Sequence, residues 1–265
     1  MRRLFSFLQR LFQVFSAVVS LLFSFRLRRE IRVRKFFERM GGAFIKFGQM
    51  LALRQDVLPI SYTEELLLLL SNVPAVPFPL IEEVFLAEKG KRPLEFFLSF
   101  NEIPVGSASI GQVYYAQLQV GGEIHEVAVK IQRPHVEEIF ETDFEIARML
   151  GWLLGYPLLA KEFISWTRRE LDYKHEALNA NTLFLHSVQH PEVVIPRTYM
   201  EYSTRRGLIS EFLPNIISVE KLLKRVDTEP DCRESLKREH GIELDKLANT
   251  FVKDDMRQYF IAGFF

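Results

Sequence analysis

Residues 106–130, GSASIGQVYYAQLQVGGEIHEVAVK, decide the fold of this chain. Residues 111–118 and 124–131 are rich in β-branched and aromatic side chains, which is typical of β-strands. Between them stand Gly121 and Gly122, and two glycines in this position favour a tight hairpin turn. The stretch therefore predicts an antiparallel hairpin, preceded by a loop of small residues.

The sequence on either side of the hairpin has a helical pattern. Apolar residues recur at helical spacing over residues 35–86 and again over residues 137–189, where the pattern is broken near Gly155. Residues 193–199 and 207–213 predict two further strands. Helices, strands, helices and strands in this order predict an α+β fold, an antiparallel sheet with a long helix, rather than a doubly wound parallel sheet.

Composition limits the classes of protein. A chain of 265 residues that is 48% apolar can form one large domain or two small ones, and its single cysteine, Cys232, excludes an internal disulfide framework. The formal net charge is zero, yet residues 1–35 carry nine basic residues against one acidic residue. Since the remainder is acidic, the split predicts a basic amino-terminal arm and argues against nucleic acid as a partner.

The basic arm also predicts an amphipathic helix. Its apolar stripe consists of Leu4, Leu8, Leu11, Phe15, Val18 and Leu22. The uncharged apolar run within it is shorter than the roughly 20 residues that cross a bilayer, and no signal-peptide cleavage motif follows. Two interpretations stay open, because amphipathicity does not say what the apolar stripe meets: an anionic membrane surface, or the rest of the same domain.

The hairpin carries two elements of a phosphate site. In protein kinases the loop G-x-G-x-x-G-x-V covers the ATP phosphates and the lysine of V-A-I-K reaches them. Gly106, Gly111 and Val113 match that loop, with Ala108 at the second glycine, and the second strand ends in Val-Ala-Val-Lys at Lys130. The predicted ATP-binding residues here are Gly106, Ser107, Ala108, Ser109, Ile110, Gly111, Val113, Ala128 and Lys130. The alternative, a solvent-facing edge lysine, is less favoured because this loop precedes it.

A lysine in such a site needs an acidic partner on the long helix. Asp172, Glu176 and Asn179 fall on one helical face, while Glu170 lies well around the helix. We predict that Glu176 pairs with Lys130 and that the two form the catalytic pair. The alternative is that these are ordinary solvated helix charges.

Residues 209–215 follow the last predicted strand and resemble the segment that joins the two kinase lobes. In that alignment the carbonyl of Glu211 and the amide of Leu213 would hydrogen-bond adenine. The alternative is a plain strand end closed by a turn at Pro214.

Several separated motifs together resemble the UbiB family of atypical protein-kinase-like proteins, also called aarF-domain kinases. Residues 45–50, IKFGQM, are similar to its K-x-G-Q signature, and residues 104–113, 127–134 and 170–179 match the alanine-rich loop, the lysine strand and the E-x-D helix in family order. The resemblance extends over residues 41–265. It implies a kinase-like N-lobe, a family-specific helical extension before it and an incomplete helical C-lobe after it.

The resemblance also implies roles and surroundings. In the family the K-x-G-Q helices cover the place where a protein substrate would enter, so Lys46, Gln49, Glu170 and Asp172 are expected to form an inhibitory cover. Family members support ubiquinone or other isoprenoid-lipid metabolism at membranes as ATPases or small-molecule kinases. This implies ATP as cofactor, Mg²⁺ in a full-length form, isoprenoid lipids or lipid-pathway proteins as partners, and a cytoplasmic location peripheral to the inner face of a membrane.

The expected domains are residues 1–35, the basic helix; 36–100, the helical extension; 101–213, the nucleotide-binding lobe; and 214–265, the start of the C-lobe. One departure is Gly106, where the family usually has alanine. A larger one is that the family's catalytic segment follows a G-F-F tripeptide, which here is residues 263–265. We therefore expect an ATP-binding portion without the catalytic loop and metal ligands. The alternatives are a non-catalytic module that binds a membrane, lipid or partner, and, least favoured, an ordinary protein kinase.

Overall fold

The computed structural model describes residues 2–70 and 73–262. The helices before the sheet are α1 (Arg2–Phe23), α2 (Arg29–Met40), α3 (Gly42–Ala52), α4 (Ile60–Leu67), α5 (Phe78–Lys89) and α6 (Pro93–Phe96). The strands are β1 (Ser99–Phe100), β2 (Gly106–Ser107), β3 (Gly111–Val120), β4 (Glu123–Gln132) and β5 (Gly207–Glu211). The later helices are α7 (Val136–Leu153), α8 (Pro157–Glu170), α9 (Tyr173–Ser187), α10 (Val219–Thr228), α11 (Cys232–His240) and α12 (Leu244–Arg257).

The sheet has the order β1-β3-β4-β5, and β2 pairs with β3 in antiparallel fashion. β3 and β4 form the predicted hairpin, with Gly121 and Gly122 at positive φ in its turn. One face of the hairpin is buried against α5, through residues such as Tyr114 and Val129. The predicted α+β class, with an antiparallel sheet and long helices, is confirmed.

The strand predicted over residues 193–199 is wrong. The segment forms an isolated bridge at Thr198 and otherwise has no regular structure. Pro196 has no N–H to donate to a ladder, which explains why regular pairing does not extend through it. The strand predicted over residues 207–213 is present but ends at Glu211, before Pro214.

The helical stretch 137–189 contains a break that the sequence did not predict. α8 ends at Glu170, and Leu171 turns its buried side chain into a core with Phe163 and Tyr173. Asp172 then accepts hydrogen bonds from the next helix: its carboxylate from the Lys174 amide and its carbonyl from the His175 amide. Asp172 is therefore an N-terminal cap and does not share a helical face with Glu176.

The chain divides into two compact units, Met1–Ala177 with Tyr199–Ser210, and Leu178–Thr198 with Glu211–Phe265. The first contains the sheet and three apolar clusters, one under the sheet, one around Phe140 and Phe144, and one among α1–α4 and α7. In the second, Cys232 packs with Leu222 and Leu236 in a small cluster. The tripeptide at residues 263–265 lies outside the described residues.

α1 packs on its own unit, but with a different stripe from the one expected. Phe7, Leu11, Val14 and Ala17 face the cluster among α1–α4. The other members of the predicted stripe whose side chains the structure describes, Leu8, Phe15, Val18 and Leu22, are exposed. The helix is thus apolar on two sides, and the sequence pattern identified the outer one. Among the described residues, no helix is long and apolar enough to cross a membrane.

Candidate nucleotide-binding site

Lys130 and Glu176 lie together at the centre of the site. The Lys130 ammonium donates to both carboxylate oxygens of Glu176, each at 2.7 Å. β4 positions the lysine directly opposite Val113 of β3, and the first turn of α9 supplies the glutamate. The side chains are 25% and 43% exposed, so the pair is reachable from solvent. The structure brings together two residues that the sequence analysis paired across 46 positions.

The solvent-accessible face of the hairpin carries three of the predicted ATP-binding residues. Side chains two apart on a strand point to the same side, and residues directly opposite across a ladder share it. Lys130, Ala128 and Val113 therefore lie on one face and are half-buried, while Val127 and Val129 on the other face are fully buried. Because side chains alternate between the two faces of a strand, the face with Lys130 stays accessible next to the loop at residues 106–111.

The side chain of Lys130 lies over the aromatic ring of Tyr173. The ammonium lies 4.6 Å from the centroid of its ring, a distance at which cation–π attraction operates. The ring is fully buried, and its hydroxyl has no hydrogen-bond partner among the described residues. Burial, followed by the negative charge of Glu176, raises the pKa of the Tyr173 phenol well above its ordinary value, so the group stays neutral. Sequence reasoning missed this residue because nothing in its local pattern distinguishes it from a core tyrosine.

The two terminal glycines of the loop differ in what they permit. A Cβ atom at Gly111 would lie 2.3 Å from the Tyr173 hydroxyl oxygen and 2.8 Å from the Ile131 carbonyl oxygen. A Cβ atom at Gly106 would have no heavy atom within 4 Å. Gly111 is therefore required for the close approach of the loop to Tyr173, whereas Gly106 has room for a methyl group.

Arg133 holds the loop against the sheet. Its guanidinium donates to the Ala108 carbonyl at 2.9 Å and to the Ser107 hydroxyl at 2.8 Å, and its backbone amide donates to the Ile110 carbonyl at 2.9 Å. The Ala108 amide closes the turn on the Gly111 carbonyl at 2.8 Å. The loop from Ser107 to Ile110, including Ser109, is thus a fixed tight turn. Sequence reasoning missed Arg133, although it follows Lys130 by three residues.

The four residues predicted to form a cover do not form one cluster. Lys46 on α3 pairs with Glu170 at the end of α8, with 2.6 Å between the ammonium nitrogen and a carboxylate oxygen. Gln49 instead donates to the Leu69 carbonyl at 2.8 Å, and Asp172 caps α9 as described above. Of the four, only Lys46 and Glu170 form an ion pair with each other, and Asp172 lies apart because the break after Glu170 makes it the cap of α9. Their role as an inhibitory cover stays a prediction.

The ABC1 atypical kinase-like domain matches residues 68–265 of this chain. The chain belongs to the ABC1 family. The resemblance to UbiB proteins stated from the motifs is thereby confirmed, and the K-x-G-Q residues Lys46 and Gln49 lie just before the matched range.

Curated ABC1 relatives resemble most of this chain but are much longer. A protein of Synechocystis is 33% identical over 85% of the chain and 40% of its own length. The chloroplastic protein Activity of bc1 complex kinase 3 of Arabidopsis thaliana is 31% identical over 90% of this chain and 33% of its own length. A probable serine/threonine-protein kinase of Dictyostelium discoideum is 31% identical over 84% of this chain and 33% of its own length. The chain therefore spans a third to two fifths of the length of these relatives.

A solved structure is also similar to this chain. It is a Mycobacterium tuberculosis protein in complex with erythromycin, 29% identical, with a TM-score of 0.50 over 70% of this chain and 48% of that one. The match supports the kinase-like ABC1 fold.

The predicted adenine contacts lie in the second unit. The Glu211 amide donates to the Arg197 carbonyl at 2.8 Å, and the Glu211 carboxylate accepts from the Arg197 amide at 3.2 Å. Leu213 follows after the end of β5 and is half-buried. The Glu211 carbonyl and the Leu213 amide stay a prediction for adenine. Within residues 2–70 and 73–262, no three His, Cys, Asp or Glu side chains are grouped so that they could hold a metal ion.

Proposed function

We propose that this chain is the nucleotide-binding portion of an ABC1-family atypical kinase or ATPase, and that it binds ATP with the phosphates beside residues 106–111 and Lys130. The bidentate Lys130–Glu176 pair supports the proposal most strongly. An ammonium has three N–H donors, and Glu176 accepts two, so one is left for a phosphate oxygen. Glu176 and the Tyr173 ring hold the lysine in place, so little side-chain entropy is lost when the nucleotide binds.

ATP would supply the phosphoryl group, and in a full-length form Mg²⁺ would neutralise the charge on its phosphates. The residues of this chain would position the nucleotide. Arg133 would hold the loop in its tight turn, Gly111 would let the loop come close to Tyr173, and Glu176 would orient Lys130. Phosphoryl transfer or hydrolysis is proposed for the longer protein, since this chain spans only a third to two fifths of its relatives.

Titration calorimetry with ATP tests this proposal. We expect the wild-type chain to bind, and Lys130→Met to bind at least about tenfold more weakly, because a hydrogen bond to a charged group contributes about 1.5–3 kcal/mol. Lys91→Met is the matched control, since Lys91 is an exposed lysine of the same unit. Equal affinity in wild type and Lys130→Met would contradict the phosphate role of Lys130.

We further propose that the full protein acts in ubiquinone or other isoprenoid-lipid metabolism at the inner face of a membrane, with residues 1–35 on the lipid. The outer stripe of α1 supports this. Phe12 and Phe15 are 72% and 65% exposed. Near the end of α1 stand three exposed arginines, Arg26, Arg28 and Arg29. Aromatic side chains beside cations are typical of helices that lie in anionic lipid surfaces.

Vesicle sedimentation tests the α1 contact. Phe12→Ser/Phe15→Ser is expected to weaken binding to vesicles of phosphatidylcholine with phosphatidylglycerol by about tenfold or more, because two large apolar side chains lose their burial. Ile103→Ser/Ile124→Ser changes two exposed apolar residues elsewhere in the same unit and serves as control. If both double variants sediment like the wild type, α1 does not contact the lipid.

A further inference from the structure

A second exposed apolar surface lies where α7 meets α8. Residues 149–160, MLGWLLGYPLLA, form an uncharged stretch of twelve residues that is flanked by Arg148 and Lys161. Its large side chains are mostly exposed: Trp152 77%, Leu153 68%, Leu154 67%, Tyr156 66% and Leu158 65%. We call this stretch the apolar tip. So many adjacent exposed apolar side chains mark a contact surface rather than the scattered apolar residues of an ordinary protein surface.

The backbone presents these side chains in a defined turn. The Leu154 amide donates to the Leu150 carbonyl at 2.9 Å, and the Tyr156 amide donates to the Gly151 carbonyl at 2.7 Å. A Cβ atom at Gly151 would lie 2.6 Å from the Cβ of Ala160, so α7 and α8 touch at small residues. Because the inside of the turn is filled by this close contact, the large side chains point outward.

Four cations line a groove beside α7 and α8, and two of them, Arg148 and Lys161, directly flank the apolar tip. An open groove of about 450 Å³ between α7 and α8 is lined by Arg148, Lys161, Ile164, Ser165, Arg168 and Arg169. No acidic side chain contributes to this lining. Arg168 pairs with Glu141 at 2.6 Å, just outside the groove. Lys161, Ser165 and Arg168 are spaced by four and three residues, which places them on the same side of α8.

We propose that the apolar tip enters the interface of an anionic lipid bilayer and that Arg148 and Lys161, which flank it, meet the lipid phosphates. Tryptophan and tyrosine are favoured at the depth of lipid headgroups, and lysine and arginine beside them reach anionic headgroups. The apolar tip with a cation on each side matches a bilayer interface, where anionic headgroups lie directly above the apolar acyl chains. This inference rests on the proposed membrane association and adds a contact separate from α1.

Tryptophan fluorescence tests the insertion directly, because the chain has only two tryptophans, Trp152 and Trp166. In Trp166→Phe, Trp152 is the sole emitter. Its emission is expected to shift to shorter wavelength with vesicles that contain phosphatidylglycerol and to be quenched by lipids brominated on their acyl chains. Unchanged Trp152 emission would overturn the inference, and if the same sample sediments with the vesicles, the α1 contact still stands.

Two double variants separate the apolar contact from the charge contact. Leu153→Ser/Leu154→Ser is expected to weaken sedimentation at least about tenfold, and Arg148→Gln/Lys161→Gln to weaken it on anionic but not on neutral vesicles. The controls are Ile103→Ser/Ile124→Ser and Lys91→Gln/Lys253→Gln, which change exposed residues elsewhere.

Two outcomes would overturn this part. In one, the variants of the apolar tip bind vesicles like their controls. In the other, light scattering shows an oligomer that Leu153→Ser/Leu154→Ser abolishes, while vesicle binding stays unchanged. The apolar tip would then be a contact between two copies of the chain. ATP titration of the same variants reports separately on the nucleotide site, so failure here and failure there are distinguishable.

Discussion

Replacing Arg10 by methionine is expected to lower the free energy of unfolding by about 3 kcal/mol, the cost typical of leaving a buried charge without its partner. Asp143 is fully buried, and Arg10 donates to its two carboxylate oxygens at 2.6 and 2.9 Å. The Ala43 amide donates to the same carboxylate at 2.8 Å and cannot neutralise it alone. Since the pair joins α1 to α7, its loss also weakens the packing of α1. Urea unfolding of both proteins measures the difference.

The stability lost in Arg10→Met should depend on pH, and the burial of Asp143 determines the direction. Burial raises the pKa of Asp143 above its ordinary value of 3.8, while Arg10 pulls it back. Without Arg10 the folded-state pKa rises further. A group with a raised folded-state pKa stabilises most below its unfolded pKa, and that contribution is lost as pH rises through the folded pKa. Arg10→Met should therefore cost less stability at pH 5 than at pH 8.

Arg54→Met is the matched control, because Arg54 forms a similar bidentate pair with Asp56 at an exposed position. Exposed ion pairs contribute little, so this variant should unfold almost like the wild type. An Arg10→Met variant that unfolds like Arg54→Met, or that loses equal stability at both pH values, would contradict the account of α1.

Replacing Gly111 by alanine is expected to destabilise the fold by about 2–3 kcal/mol and to weaken ATP binding, because the new methyl group overlaps the Tyr173 hydroxyl and the Ile131 carbonyl. Gly106→Ala is the control in the same loop and should be close to neutral, since its site is open. Adding Tyr173→Phe to Gly111→Ala removes one of the two overlaps and should restore part of the lost stability.

Thermal and urea unfolding of the three variants, with ATP titration, test the two roles assigned to these glycines. Equal behaviour of Gly111→Ala and Gly106→Ala would show that the loop does not need the close approach. No recovery in the double variant would show that Tyr173 is not the group that limits the space.

The sequence was sufficient for features that depend on local pattern. The β3–β4 hairpin is set by two β-prone runs and a pair of glycines. Lys130 is recognisable because a charged residue follows the apolar run Val127–Val129 in a strand that comes after a phosphate-type loop. Glu176 was chosen on helical spacing that assumed one helix through residues 170–179, and the break before Asp172 invalidates part of that argument. The structure places Glu176 against Lys130, whereas their joint role in catalysis stays a prediction.

Features that depend on distant contacts could not be read from the sequence. Tyr173 and Arg133 are identified only by what folds against them, the loop at residues 106–111. The break before Asp172 comes from burial of Leu171, which local propensity does not report. For α1, the sequence pattern revealed that the helix is apolar. It did not show which of its two apolar sides packs against the rest of the unit.

The central claim is that Lys130 lies beside the phosphates of bound ATP, and labelling with an acyl phosphate of ATP tests it most directly. In this reagent the lysine amine attacks the acyl carbonyl, an amide forms and ATP leaves, so only an amine held near the terminal phosphate reacts quickly. We predict that peptide mapping finds acylation at Lys130 and that excess ATP prevents it. Labelling spread over exposed lysines such as Lys91 and Lys253, and unaffected by ATP, would contradict the claim.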